Sequence, residues 1–389
     1  MNKPMSVNDT MVKYRRNFYK VYHSTIAPVF RQFEKKRKDM LVTLCLICAI
    51  LLTIVASTGI GMFTGQILNQ PSKILCVMEE LIGFVALICL IWLPIHFNNK
   101  FVDELKKTCM GKIISLFGNV TWHNKTALIS DTEMAKSYLF RHYNTRESFD
   151  AFSGSYNGVN FEICETTIGD EASSSDEHGS VYKWNAILPL FKGVVIKFNS
   201  NKNANGVTMV ASKKDAYTGI NKLGFIGFGC FLFSLFQIIF PIIYKDIFKF
   251  DIVLFGISFL GFVILIILIK TGVEAKNAMP IAEMKLEDPE FNKKYRAYSN
   301  DQVQGRYLIT SAFMERFQNL QTTFGTEKVK CSFYGNTLMF AISTDKNLFE
   351  IGGLFRSLEN PKQLDKFFDE LISIYLMIDY FKLDEDTKL

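Results

Sequence analysis

"LEDPEFNKKYRAYSNDQVQGRYLIT", residues 286–310, holds four acids and four bases within twenty-five positions, and local chemistry accounts for most of them. Asp288-Pro289-Glu290 reads as a helix start: Asp288 caps, Pro289 takes the first helical position, and Glu290 faces the positive end of the helix dipole. Tyr295 to Tyr298 reads as extended, Asn300-Asp301 turns the chain, and Val303 to Leu308 reads as a second extended piece. Thr310 or Ser311 then caps a helix carrying Phe313, Met314, Phe317 and Leu320. Asp301 and Arg306 remain. They are expected to form an ion pair steadying the turn, and they are the candidate contact for a partner or ligand.

Outward from this stretch, helix and strand signals alternate. Val329, Cys331 and Phe333 are followed by Tyr334-Gly335-Asn336 and then by Leu338, Phe340 and Ile342, the pattern of a hairpin. Asn360-Pro361 opens a long helix with Leu364, Phe367, Phe368, Leu371, Tyr375 and Ile378 on one face. Upstream, Phe101, Leu105, Cys109, Ile113 and Phe117 keep helical spacing, and Ser130-Asp-Thr-Glu133 is a capping box. Val159, Phe161 and Ile163 alternate after an Asn157-Gly158 turn, and Val194 to Phe198 and Val207 to Val210 flank a loop ending in Asn205-Gly206. The expected fold class is α+β, with a mixed or antiparallel sheet. Residues 169–180, with Asp170, Glu171, Asp176, Glu177 and His178, read as a polar loop, and no metal or other cofactor is expected.

Four uncharged runs interrupt this pattern: Met40–Met62, Leu81–Asn99, Leu223–Tyr244 and Ile252–Ile269. A helix needs about 20 apolar residues to cross a hydrocarbon core, so they are expected to form four transmembrane helices in two hairpins, the fourth the shortest. The organisation is then a basic amphipathic helix (1–39), a first hairpin (40–99), the first part of a soluble domain (100–222), a second hairpin (223–269) and the rest of that domain (271–389). Residues 1–39 carry ten Lys or Arg against three acids. Lys35 to Lys38 and the lysines after Asn99 place both termini and both polar regions in the cytoplasm by the positive-inside rule. Lys35, Lys36, Arg37 and Lys38 are candidate lipid-headgroup contacts. The stripe Met11, Tyr14, Phe18, Tyr22, Ile26, Val29 or Phe30, and Phe33, interrupted or kinked at Pro28, is expected to pack on the soluble domain.

Composition excludes several classes. Nearly half the residues are apolar and the mean hydropathy is positive. Beyond Lys270 there are fifteen bases against eighteen acids, which is no footprint for nucleic acid. The spans contain His96 but no Asp, Glu, Lys or Arg, so an ion or proton path is disfavoured. Thr53, Ser57 and Gly61 are expected to serve helix packing. Cys45-Leu-Ile-Cys48 lies inside an apolar run without the strand context of a redox motif. No phosphate loop, dinucleotide fingerprint, nucleophile elbow or HExxH occurs, so no catalytic residue is assigned.

The segments "LEDPEFNKKYRAYSNDQVQGRYLITSAFMERF" and "LFEIGGLFRSLENPKQLDKFFDELISIYLMIDYFKL" resemble a bacterial membrane-protein family known only as a domain of unknown function. Its members are sometimes encoded beside LemA-type membrane proteins. The likeness is strong over residues 281–383 and looser over 130–200, through "SGSYNGVNFEICETTI" and "LFKGVVIKFN". It implies a membrane hairpin with a cytoplasmic α+β domain and brings no catalytic residues. The family pattern lacks the second hairpin, which leads us to expect that 100–222 and 271–389 build one domain into which 223–269 is inserted. A non-enzymatic inner-membrane scaffold or sensor is the favoured reading, with the lipid bilayer and a LemA-like protein as partners. A membrane-bound enzyme or lipid-handling protein and a small-solute transporter compete with it.

Overall fold

The computed structural model describes residues 15–16, 18–20, 22–68, 73–140, 143–169, 172–175, 181–184, 190–214, 281–324, 326–344, 348–360, 362–381 and 383. The expected second hairpin, 223–269, and most of the polar loop 169–180 lie outside them. The chain divides into two compact units, one of Met1–Trp122 with Leu348–Asp379 and the other of His123–Asn347 with Tyr380–Leu389.

In the first unit a single π-helical turn, Tyr22–Ile26, leads into α1 (Ala27–Leu68), and α2 is Lys73–Ile114. Pro28 therefore sits in the first turn of α1, where a missing amide costs nothing. Two helical segments, Phe18–Thr58 and Leu81–Ile114, are long and apolar enough to cross a membrane. Leu46, Ile50, Phe84, Ile91 and Trp92 face outward from them. Thr58 and Gly83 make the close approach between α1 and α2, since a Cβ on Gly83 would stand 2.8 Å from the Thr58 Oγ1. The expected packing residues Thr53 and Ser57 are exposed instead, their hydroxyls donating to carbonyls three positions back, Ile50 and Ile54.

Met11 and Tyr14 of the amphipathic stripe lie outside the described residues, and the rest of it packs. Phe18, Tyr22, Ile26 and Phe30 are buried, and the Phe18 ring lies 4.7 Å from that of Phe368 in α7 (Lys362–Phe381). Phe117 also contacts Phe368 at 5.4 Å, and the Tyr375 hydroxyl donates to the Phe117 carbonyl at 2.9 Å.

The second unit is built on an antiparallel sheet. Its strands are β1 (Val120–Asn124), β2 (Thr145–Tyr156), β3 (Val159–Gly169), β6 (Phe191–Ser212), β7 (Glu283–Met284), β8 (Tyr295–Ser299) and β9 (Val329–Ser343); β4 (Ala172–Ser175) and β5 (Val181–Trp184) pair separately. One edge of β6 pairs with β3 through its first half and with β8 through its last residues, while the other edge pairs with β9 along nearly its whole length. The sheet thus joins strands from both sides of residues 223–269. Among the described residues, the unit's helices are α3 (Asp131–Lys136), α4 (Pro289–Lys294), α5 (Gln302–Leu308) and α6 (Ser311–Phe324).

Both faces of β6 and β9 are covered. Val195, Met209, Met339 and Ala341 join Met134, Leu139 and Phe140 on one side. On the other, Phe340 meets Phe198 and the α6 ring Phe317, which in turn meets Phe291 of α4. Strands buried on both faces read as continuous apolar runs, which is why "VVI" and "LMFAI" lack alternation. Each fully buried ring contributes about 1.5–3 kcal/mol.

Two expected turns become one device. Tyr334-Gly335-Asn336 does not reverse the chain, and neither does the segment ending at Asn205-Gly206. Instead Ala204 pairs with Gly335 where the ladder shifts register between Asn199 and Val207. Gly335 has φ +52°, the left-handed conformation that glycine supplies in a bulge. Opposed irregularities let both strands run on. The Asn157-Gly158 turn forms as expected, with φ +49° and +81°.

A Cβ on Gly193 would lie 2.0 Å from the Ile342 carbonyl oxygen, whereas one on Gly111 meets nothing within 4 Å. Gly193→Ala is expected to destabilise by at least about 1–3 kcal/mol. Gly111→Ala, within a helix, should be neutral or stabilising by roughly 0.5–1 kcal/mol. Denaturation of the two variants in detergent checks the contrast.

Candidate functional site

Two places, one in each unit, hold the residues singled out from the sequence. In the second unit, Asp301 is not paired with Arg306. Its Oδ1 accepts the amides of Val303 at 2.9 Å and Gln304 at 3.0 Å, so it caps α5. The expected extended piece 303–308 is a helix because this cap satisfies the free amides of its first turn. Val303, although β-branched, is set there by the cap.

The helix is pinned from below. The Gln304 side chain accepts from the Asn205 amide at 3.0 Å and donates to the Asn203 carbonyl at 3.1 Å. Gly305 is buried, and a Cβ there would stand 2.9 Å from Ser299 and 3.0 Å from the Met284 sulfur. The outer face therefore carries Val303 and Arg306–Tyr307, at helical intervals of three and four. Val303 is 79% exposed and Tyr307 50%. Sequence reasoning found Asp301 and Arg306 but missed these two apolar neighbours, because an extended assignment hid their common face.

In the first unit, the last polar turn before Met40 meets the segment 350–358. The buried Glu34, 3% exposed, takes two hydrogen bonds from the Arg37 guanidinium at 2.8 and 2.6 Å. Its carboxylate also accepts the Leu358 amide at 3.0 Å, with the Ser357 hydroxyl at 3.4 Å. Arg37 spends a further donor on the Leu354 carbonyl at 3.0 Å. From α2, the Asn98 side chain accepts the Leu354 amide at 3.1 Å. Both polar groups of the Leu354 backbone are thus satisfied by side chains of the two long helices.

The four bases expected at lipid headgroups consequently differ. Arg37 is turned inward. Lys36 pairs with Glu104, and Lys38 lies 3.7 Å from Glu359. Beside the same loop, a groove of about 440 Å³ is lined by Arg356, Ser357, Lys362 and Lys366 together with Glu350. No group of three or more His, Cys, Asp or Glu capable of holding a metal occurs among the described residues.

The Arg37 guanidinium, bonded twice to Glu34, holds that carboxyl down to about 2 despite its burial, and the Leu358 amide adds to the effect. A depressed carboxyl stabilises the fold fully above its ordinary value near 4.5 and ceases to do so as pH falls toward 2. Glu34→Gln leaves Arg37 buried without its counter-charge and is expected to cost about 3–5 kcal/mol at neutral pH. Ser357→Ala should cost no more than about 1 kcal/mol. Melting curves in detergent between pH 7 and pH 3 should show a larger acid-dependent loss in the parent chain than in the Glu34→Gln variant.

A family model described as a protein of unknown function (DUF3137) matches residues 189–383. The matched region begins with β6 and includes α5, the 350–358 segment and α7; it starts well before residue 281 and leaves out 130–188. No curated protein and no solved structure matches the chain.

Proposed function

We propose that this chain, which belongs to the DUF3137 family, is a multi-pass membrane protein that acts without catalysis, as a scaffold or sensor presenting its α+β unit to a partner on the cytoplasmic side. The two long apolar helices and the bases that flank their uncharged runs support the membrane placement. The outer face of α5 carries the partner reading: Val303 and Tyr307 are exposed on a helix whose cap, glutamine ties and buried glycine hold it rigid. A rigid mixed patch binds at a lower entropic cost than a mobile one, and aromatic and Arg side chains such as Tyr307 and Arg306 are the types enriched where interfaces anchor. Asp301 serves this face by fixing the helix, Arg306 by its open donors. A LemA-like membrane protein is the first partner to test, on the strength of the family resemblance.

In-cell crosslinking of the tagged chain, followed by mild solubilisation, should recover one membrane or cytoplasmic protein near stoichiometry. Val303→Asp with Tyr307→Ala should reduce that recovery at least tenfold while leaving the melting temperature within a few degrees, since surface changes are usually worth under about 0.5 kcal/mol. Recovery unaffected by the double substitution would remove α5 from the interface.

A further inference from the structure

Gly353 to Arg356 form a tight turn closed by the Arg356 amide donating to the Gly353 carbonyl at 3.3 Å. It sorts its two central residues sharply: Leu354 is fully buried, whereas Phe355 is 58% exposed. That exposure is built in, because Arg37 and Asn98 grip the Leu354 backbone between them. Neighbouring apolar residues of the segment, Phe349, Ile351 and Leu358, are all buried. Phe355 alone of these faces out.

The same two grips fix the height of the turn. Arg37 stands three residues before the uncharged run that begins at Met40, and Asn98 is the next-to-last residue of the second run. At 1.5 Å of rise per residue, Arg37 stands about 5 Å along the helix from the start of the first apolar segment, and its guanidinium holds the Leu354 carbonyl. The headgroup layer on each side of a hydrocarbon core is about 5–8 Å deep. Given the membrane hairpin proposed above, on which this step rests, the turn sits in that layer.

The groove that Arg356 of this turn helps to line has the chemistry of the layer. Its three bases, Arg356, Lys362 and Lys366, outnumber its acid, Glu350. Arg356 is 3.5 Å from Glu350 and Lys366 is 3.2 Å from Glu370. A guanidinium has five donors and an ammonium three, so one carboxylate contact leaves each with others to give. About 440 Å³ is within the range of ligand pockets. The first turn of α7, capped by Asn360 accepting the Lys362 amide at 3.1 Å, adds the positive end of a 20-residue helix.

We infer that the Gly353–Arg356 turn and this groove form an anionic-phospholipid site, in which Phe355 enters the acyl boundary and Arg356, Lys362 and Lys366 take the lipid phosphate. Phe355 supplies the apolar contact that a soluble phosphate lacks. The groove thereby gives the protein a third hold on the bilayer, placed on the segment that Glu34 and Arg37 lock to the hairpin.

The test uses the full chain in nanodiscs, with a photo-crosslinking phenylalanine analogue at position 355 and, separately, at position 84 on the outward face of α2. Crosslinks to phospholipid at both positions are expected. Lipid at 84 but none at 355 overturns the site and leaves the hairpin standing; lipid at neither overturns both; a protein adduct at 355 replaces the lipid with a partner. In discs mixing anionic and zwitterionic lipid, native mass spectrometry should show anionic lipid retained by the parent. Retention should be weakened up to roughly a hundredfold by R356Q/K362Q/K366Q, at about a factor of five per base. Excess glycerol phosphate should not displace the lipid; displacement would make the groove a soluble-phosphate site, and unchanged retention in the triple variant would refute it.

Discussion

The Glu34 carboxylate is the hinge of the first unit. A buried charge is tolerated only when its lone pairs are filled, and here Arg37, the Leu358 amide and the Ser357 hydroxyl fill them. Two of those donors belong to a loop more than three hundred residues away in sequence. The satisfaction of one acid therefore requires a helix near one end of the chain and a segment near the other to be docked together. Gly352 shows how close that docking is: a Cβ there would stand 2.4 Å from Leu358 and 2.8 Å from Leu105.

The second unit depends on a different constraint, the length of β6. With 22 residues, it can pair with β3 and β8 in succession along one edge and with β9 along the other. The register shifts between Asn199 and Val207, met by Gly335 on β9, bend the two strands locally while the pairing resumes on either side. Residues 190–214 and 281–343 are consequently one folding unit, whatever lies between them.

Local rules carried well where the signal was chemical. Ser130 with Glu133, Asp288 with Pro289, Asn360, and Asn157-Gly158 all do what their side chains or backbone freedom dictate. Turn residues misled where pairing overrides them: at Gly335 because a bulge and a turn use the same left-handed glycine conformation, and at Asn205-Gly206 because the ladder with β9 carries the strand on. Val303 to Leu308 misled for the converse reason: β-branching and aromatic content suggest a strand, while the Asp301 cap makes a helix. Neither the inward turn of Arg37 nor the outward Phe355 was legible, since Lys35 to Lys38 read as a uniform basic run and "GGLFRSL" contains no period. The burial of Arg37 depends on a partner, Leu354, that no local window includes.

Hydrogen exchange across residues 350–358 in the detergent-solubilised chain tests the docking most directly. Leu354 and Leu358 sit in a loop without regular secondary structure, yet their amides donate to Asn98 and Glu34. The account predicts that both exchange slowly, at rates comparable to the amides of α2 near Asn98, and that Glu34→Gln accelerates Leu358 first. Exchange of both amides at the rate of an unstructured loop would contradict it.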